Sequence, residues 1–132
     1  MTVVRESGIS LYFNQDRSRI RHMTIKELDY PEHIHLRINE EKKYLFIEKC
    51  ARDKDSFRIE YSDGKIKGQG CFISAKAYLR YLAAVIGVPV NSPSLRFYGY
   101  LMPDGTVFID LNRYEVIQQY KNGAKESSTK GS

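Results

Sequence analysis

The densest run of residues able to do chemistry is Arg17-Ser18-Arg19-Ile20-Arg21-His22, with Lys26 following one turn later. Guanidinium groups hold a fixed charge and a fork of N–H donors, so they pair with phosphate oxygens and with guanine edges. A solvated helix face accounts for the same composition. Read as a helix, the run places Arg17 and Arg21 on one side and Arg19 well away from them. Lys76 and Arg80, also four residues apart, repeat that pairing later in the chain. The candidate nucleic-acid-binding residues are therefore Arg17, Arg19, Arg21, Lys26, Lys76 and Arg80. Lys65 and Lys67, among Gly64, Gly68 and Gly70, read either as a further phosphate-contacting edge or as an edge strand protected by lysine.

Other chemistries find less support. His33 and His35 share one side of a strand, with His22 and Cys50 as candidate neighbours, a spacing that suits metal ligands. A structural zinc site takes four ligands, and the chain has neither CxxC nor HExxH, so the expectation is histidines on a half-exposed sheet face and no metal. Ten tyrosines and six phenylalanines without tryptophan permit base stacking, although strands favour aromatics for packing alone. Tyr98 and Tyr100 are the best exposed pair, for a base or for a protein partner. Gly68-Gln69-Gly70 is too short for a phosphate loop, and no nucleophile elbow or suggestive carboxylate pair occurs. The expectation is a protein that is not an enzyme and needs no cofactor.

These residues must be positioned by a chain of 132 residues, the size of one domain. Its 42% hydrophobic and 28% charged residues fit a globular protein rather than a disordered one. The formal charge of +5 raises encounter rates with anionic partners. The longest strongly apolar stretch, Tyr81 to Val90, is about half of what a membrane span requires. The first residues lack a basic region followed by an apolar run, so a cytoplasmic protein with reduced thiols at Cys50 and Cys71 is expected.

Alternation of Ile9, Leu11 and Phe13 predicts a strand over Gly8 to Asn14. Asn14 or Asp16 then caps a predicted helix reaching Leu28, ended by Tyr30-Pro31. Ile34, Leu36 and Ile38, a turn at Asn39 to Lys42, then Leu45 and Ile47 predict a hairpin. Beyond the charged bridge Ala51 to Asp55, Phe57 to Tyr61 alternates again. Ser62 to Lys65 turns the chain into a short strand at Ile66. Ser74 caps the strongest predicted helix, Ala75 to Ile86, closed by Gly87. A second hairpin covers Leu95 to Leu111, turning at Pro103-Asp104-Gly105. Asn112 and Glu115 form a capping box for a C-terminal helix, Arg113 to about Asn122. Residues 124–132 read as a loose tail.

Two parts of this pattern are alike. Leu28-x-x-Pro31 recurs as Ile86-x-x-Pro89, and the same offset maps Ile20 onto Tyr78 and Met23 onto Tyr81. The expected fold is α+β: two related strand-helix-hairpin units, about 8–50 and 71–111, packed with pseudo-two-fold symmetry in one domain (1–123), plus the C-terminal helix. A strand with a polar end, a short basic helix ending in Leu-x-x-Pro and a hairpin with a charged tip resemble the AbrB/MazE swapped-hairpin domains. Two copies in one chain resemble the MraZ-like arrangement. The glycine-arginine-valine/isoleucine-proline segment of that family is replaced here by Phe13-Asn14-Gln15-Asp16 and Phe72-Ile73-Ser74-Ala75. The chain also resembles uncharacterised short proteins of Firmicutes mobile elements. The resemblance implies a small DNA-binding regulator or antitoxin; a monomer or a homodimer is expected. The competing expectation is a protein-interaction module of a mobile element, and neither reading involves a membrane.

Overall fold

A computed structural model describes residues 7–61 and 71–117. The strands are β1 (Gly8–Tyr12), β2 (Arg17–Ile20), β3 (His33–Asn39), β4 (Tyr44–Cys50), β5 (Phe57–Arg58), β6 (Glu60–Tyr61), β7 (Cys71–Ile73), β8 (Leu95–Leu101), β9 (Val107–Asp110) and β10 (Glu115–Val116). Two helices interrupt them, α1 (His22–Glu27) and α2 (Lys76–Ile86). The ten strands form one sheet in the order β5-β3-β4-β9-β8-β1-β2-β7-β6, with β10 beside β8. Every pairing is antiparallel.

The two ends of that order are consecutive in the chain. Phe57 and Arg58 pair with β3, and Glu60 and Tyr61 pair with β7. Between them the Ile59 N–H donates to the Glu32 carbonyl, 2.9 Å away. One short stretch thus joins both margins, and the sheet curls into a nearly closed barrel, which removes most of its free edge. The interior is filled by side chains at alternate positions, among them Ile9, Leu11, Ile20, Ile34, Leu45, Ile47, Phe97 and Ile109, each at most 1% exposed.

This architecture corrects the expected α+β fold of strand-helix-hairpin units: the protein is predominantly antiparallel sheet with two short helices. The helix expected from Asn14 or Asp16 to Leu28 forms only over its second half, as α1. Phe13–Gln15 makes a single 3-10 turn, Asp16 takes a left-handed conformation at φ 55°, and Arg17 to Ile20 returns as β2. Ser18 and Ile20 point inward and the arginines outward, while β2 gains ladders with β1 on one side and β7 on the other. A helix would leave both neighbours with unpaired backbone, and that tertiary gain outweighs the local periodicity of Ile20, Met23 and Leu28.

The C-terminal helix is corrected likewise. Glu115 and Val116 pair with Arg96 and Leu95, and the Ile117 N–H donates to the Ser94 carbonyl. Asn112 caps nothing; its amide donates to the Lys42 carbonyl and to Asp110. The expected helix beyond Ile117, the tail, and the turn and strand at 62–70 with Lys65 and Lys67 lie outside the described residues.

The strong helix forms as α2, with Leu79, Leu82, Ala83 and Ile86 buried and Gly87 closing it at φ 92°. Ser74 is not its cap, since its hydroxyl turns toward Glu60. The pairing scheme also has an internal symmetry. Exchanging β1 with β5–β6, β2 with β7, β3 with β8 and β4 with β9 converts β1·β2 into β6·β7, β3·β4 into β8·β9 and β1·β8 into β5·β3. The pairs β2·β7 and β4·β9 map onto themselves. Each half is hairpin, helix, hairpin, and before α1 the chain makes a strand, β2, that the sequence pattern did not predict.

Candidate functional site

The run Arg17 to Arg21 acquires its chemistry from the strands on either side. Arg17 and Arg19 project from the outer face of β2, and Arg21 follows as the extended residue before α1. Register then fixes their neighbours. Arg19 lies opposite Ser10 of β1, and Ser10 lies opposite Arg96 of β8. Arg17 lies opposite Tyr12. The Arg21 N–H donates to the Gly8 carbonyl, and Gly8 lies opposite Tyr98. Phe72 of β7 lies opposite Arg19, while the Arg17 guanidinium sits 4.0 Å from the centre of its ring, a cation–π contact.

Four arginines and three aromatic rings therefore share one patch of outer sheet around two small residues, Gly8 and Ser10. The correction to the expected site is geometric. Arg17, Arg19 and Arg21 are strand and strand-end residues, so Arg19 joins the other two instead of facing away, because side-chain period on a strand is two. Arg96 was not among the expected residues. Its signal was available in the alternation of Arg96, Tyr98 and Tyr100 with buried Leu95, Phe97 and Gly99.

The patch is poorly neutralised. The Arg96 guanidinium lies 3.9 Å from the Glu115 carboxylate, whose same oxygen accepts the Tyr98 hydroxyl at 2.8 Å. Arg17 meets the uncharged amide of Gln15 at 3.2 Å. Arg21 is part-buried; burial first, then the Arg96 and Arg19 charges, hold its proton affinity below the ordinary arginine value, although the group stays charged. Among the described residues three buried side-chain polar atoms have no hydrogen-bond partner: Ser10 Oγ, Arg21 Nε and Arg96 Nε. Buried unpaired donors cost about 1–3 kcal/mol each. All three belong to this patch.

The remaining expected residues are placed differently. Lys26 is exposed on the last turn of α1. Lys76 opens α2, its Nζ 3.9 Å from Asp16, next to the turn that leads into Arg17. Arg80 is exposed one turn further along α2. The structure groups Arg17, Arg19 and Arg21 with Arg96 and leaves Lys26 and Arg80 as solvated helix residues.

Beyond Tyr98 the same outer face turns aromatic. Arg37 lies opposite Phe46, Phe46 opposite Phe108, and Phe108 opposite Tyr100. Tyr98, Tyr100, Phe108, Asp110 and Arg113 line a shallow cavity of about 310 Å³, at the lower bound of ordinary ligand pockets. Further along the same outer face, on β3 and β4, His35 is held by Asp53 at 2.9 Å and Glu48 at 3.4 Å, and Glu48 also accepts from Arg37. Those hydrogen bonds, Asp53 foremost, raise the His35 pKa. His33 joins Cys50, Asp53 and Arg58 in lining a polar cavity of about 660 Å³. Burial and the nearby Asp53 and Glu48 push the Cys50 thiol up, opposite to what a nucleophile requires. No group of three or more His, Cys, Asp or Glu among the described residues is placed to hold a metal ion. No helix among them is long and apolar enough to cross a membrane. Comparison with family models, with curated proteins and with solved structures finds no match to this chain.

Proposed function

We propose that the protein binds nucleic acid, acting as a small DNA-binding regulator or antitoxin-like protein, and that it does so through the outer face of the β2–β1–β8 sheet. The observation that carries the reading is the grouping of Arg17, Arg19, Arg21 and Arg96 around Ser10, with Glu115 the one carboxylate among the described residues that pairs with any of them. Concentrated guanidinium charge with unsatisfied donors is what a phosphate backbone neutralises. Basic helices, the expected vehicle, are replaced in this reading by a strand-borne surface.

Fluorescence anisotropy with labelled DNA tests it across a salt series. Four phosphate contacts predict a log–log salt slope between about −3 and −4. Arg19→Glu with Arg96→Glu should remove binding at low salt while leaving the melting transition in place. Unchanged affinity in that double variant would refute the proposed face.

A second reading, a protein-interaction module, is favoured by Tyr100, Leu101 and Met102, which stand 37%, 51% and 37% exposed at the β8–β9 hairpin. Stoichiometric capture of a defined protein partner, lost in Leu101→Asp and accompanied by no DNA binding at low salt, would support it instead.

A further inference from the structure

Resting on the nucleic-acid reading, we propose that the strand bound is single. One phosphate is seated by Ser10, Arg21 and Arg96, and an adjoining unstacked base occupies the hollow between Tyr98, Tyr100 and Phe108.

Three observations lead there. The first is the seat. Ser10 is fully buried on the outer face, opposite Arg19 on one side and Arg96 on the other, and its hydroxyl and the Arg21 and Arg96 Nε atoms have no hydrogen-bond partner. An oxyanion with several lone pairs can accept from all three donors, and charge-assisted bonds from guanidinium are the stronger kind. A neutral ligand would leave the mutual repulsion of Arg19, Arg21 and Arg96 in place.

The second is the neighbour of the seat. Tyr98 belongs to both places: it lies opposite Gly8 beside Arg21, and it lines the 310 Å³ hollow with Tyr100 and Phe108. The Tyr100 and Phe108 rings stand 6.5 Å apart, tilted by 35°. An aromatic floor next to a phosphate seat matches the two halves of a nucleotide whose base has left its stack. Asp110, on the rim, accepts from the Asn112 backbone N–H and side chain through Oδ1. Its other oxygen lies 3.7 Å from Arg113, and it can accept from an exocyclic amino group.

The third is shape. A major groove admits an α-helix or a two-stranded ribbon. The seat spans β2, which carries Arg17 and Arg19, β1, which carries Ser10, and β8, which carries Arg96, three adjacent strands flanked by β7 on one side and by β9 and β10 on the other. A surface of that width does not enter the major groove, so it reaches the bases of a duplex only by deforming it. A single strand can lay both phosphates and bases on it.

The test compares a labelled 12-nucleotide single strand with the duplex of the same sequence. Wild type is run beside Tyr100→Ala, Ser10→Ala and Arg96→Gln, with melting curves confirming that each variant folds. The expectation is single-strand affinity at least about tenfold above duplex affinity. Tyr100→Ala should weaken the single strand by about 5- to 150-fold, the value of one stacked base, with the salt slope unchanged. Arg96→Gln should weaken both ligands and shallow the single-strand slope by about 0.7. Ser10→Ala should weaken both with the slope unchanged. Duplex binding as tight as single-strand binding, or a Tyr100→Ala variant that keeps full affinity, overturns this inference while sparing the charge-based reading. Failure of wild type to bind either ligand at low salt overturns both.

Discussion

Gly8 is the position where the proposed binding face and the stability of the barrel depend on the same backbone contact, and Gly8→Ala separates a real close approach from an incidental one. Its φ of 129° lies where side chains are rarely tolerated, and a Cβ built there falls 1.9 Å from the Phe97 carbonyl oxygen. Carbon and oxygen ordinarily meet no closer than about 3.3 Å, so β1 and β8 must part by more than an ångström. The backbone strain costs about 1–3 kcal/mol. Weakening two ladder hydrogen bonds around Gly8–Tyr98 and Ile9–Phe97 adds about 2 kcal/mol. The sum, about 3–5 kcal/mol, is a large share of the roughly 5–15 kcal/mol that holds a domain folded. A melting temperature lower by about 10–20 °C follows, measurable by circular dichroism and urea titration. Gly105→Ala is the comparison: φ is 91° there too, yet nothing lies within 4 Å of the added carbon, so about 1–2 kcal/mol is expected. A Gly8→Ala protein melting within about 3 °C of wild type, or no lower than Gly105→Ala, would refute the reasoning.

Two further outcomes are expected. Thr24 is buried, and its Oγ1 accepts the Gly8 N–H at 2.6 Å and meets Ser7 Oγ at 2.8 Å. Ser7 in turn donates to Glu27 at 2.8 Å. Thr24→Val keeps the volume but orphans the Gly8 N–H, costing about 2 kcal/mol in urea titration, whereas Thr24→Ser should retain most of the stability. The His35–Asp53–Glu48 cluster sets a pH window. Since the His35 pKa is raised, its contribution is complete below the ordinary histidine value and is lost as pH rises through the folded value. Asp53 and Glu48 are depressed, so theirs is present above the ordinary carboxylate range and lost on acidification. Stability from this cluster should therefore peak between about pH 4.5 and 6.5, and His35→Asn should flatten the alkaline limb in melts taken from pH 5.5 to 8. An alkaline limb identical in wild type and variant would remove His35 as its source.

Local pattern carried the parts of this fold whose partners are close in sequence. The hairpin over Ile34 to Ile47 and the one over Leu95 to Leu111 are β3–β4 and β8–β9, and the apolar helix before Gly87 is α2. Failure came where the deciding partner is remote. Arg17-Ser18-Arg19-Ile20 alternates, but a serine occupies one inward position, so the alternation reads weakly, and β7, which holds β2 in place, arrives some fifty residues later. The Asn112–Glu115 capping box was a sound local signal defeated by β8, which offers Glu115 the Tyr98 hydroxyl and Arg96. Closure through Ile59 had no local sign at all. For the site, the arginine run was visible but its geometry was not, because a helical reading separates Arg19 from Arg17 and Arg21, and nothing near them in sequence points to Arg96.

That dependence on register has an energetic corollary. Arg19, Ser10 and Arg96 form one row only because β1 pairs with β2 and β8 at one alignment; a slip of one residue would turn Ser10 inward and carry Ile9 to the surface. The burial of Ile9 and Leu11 and of Leu95 and Phe97 is what forbids the slip. The hydrophobic interior therefore assembles a cationic surface that is itself unfavourable, since like charges adjoin and three donors go unpaired. An anion that fills this place relieves both penalties in the folded state and neither in the unfolded one. Its binding must then appear as added stability, growing with ligand concentration and fading with salt.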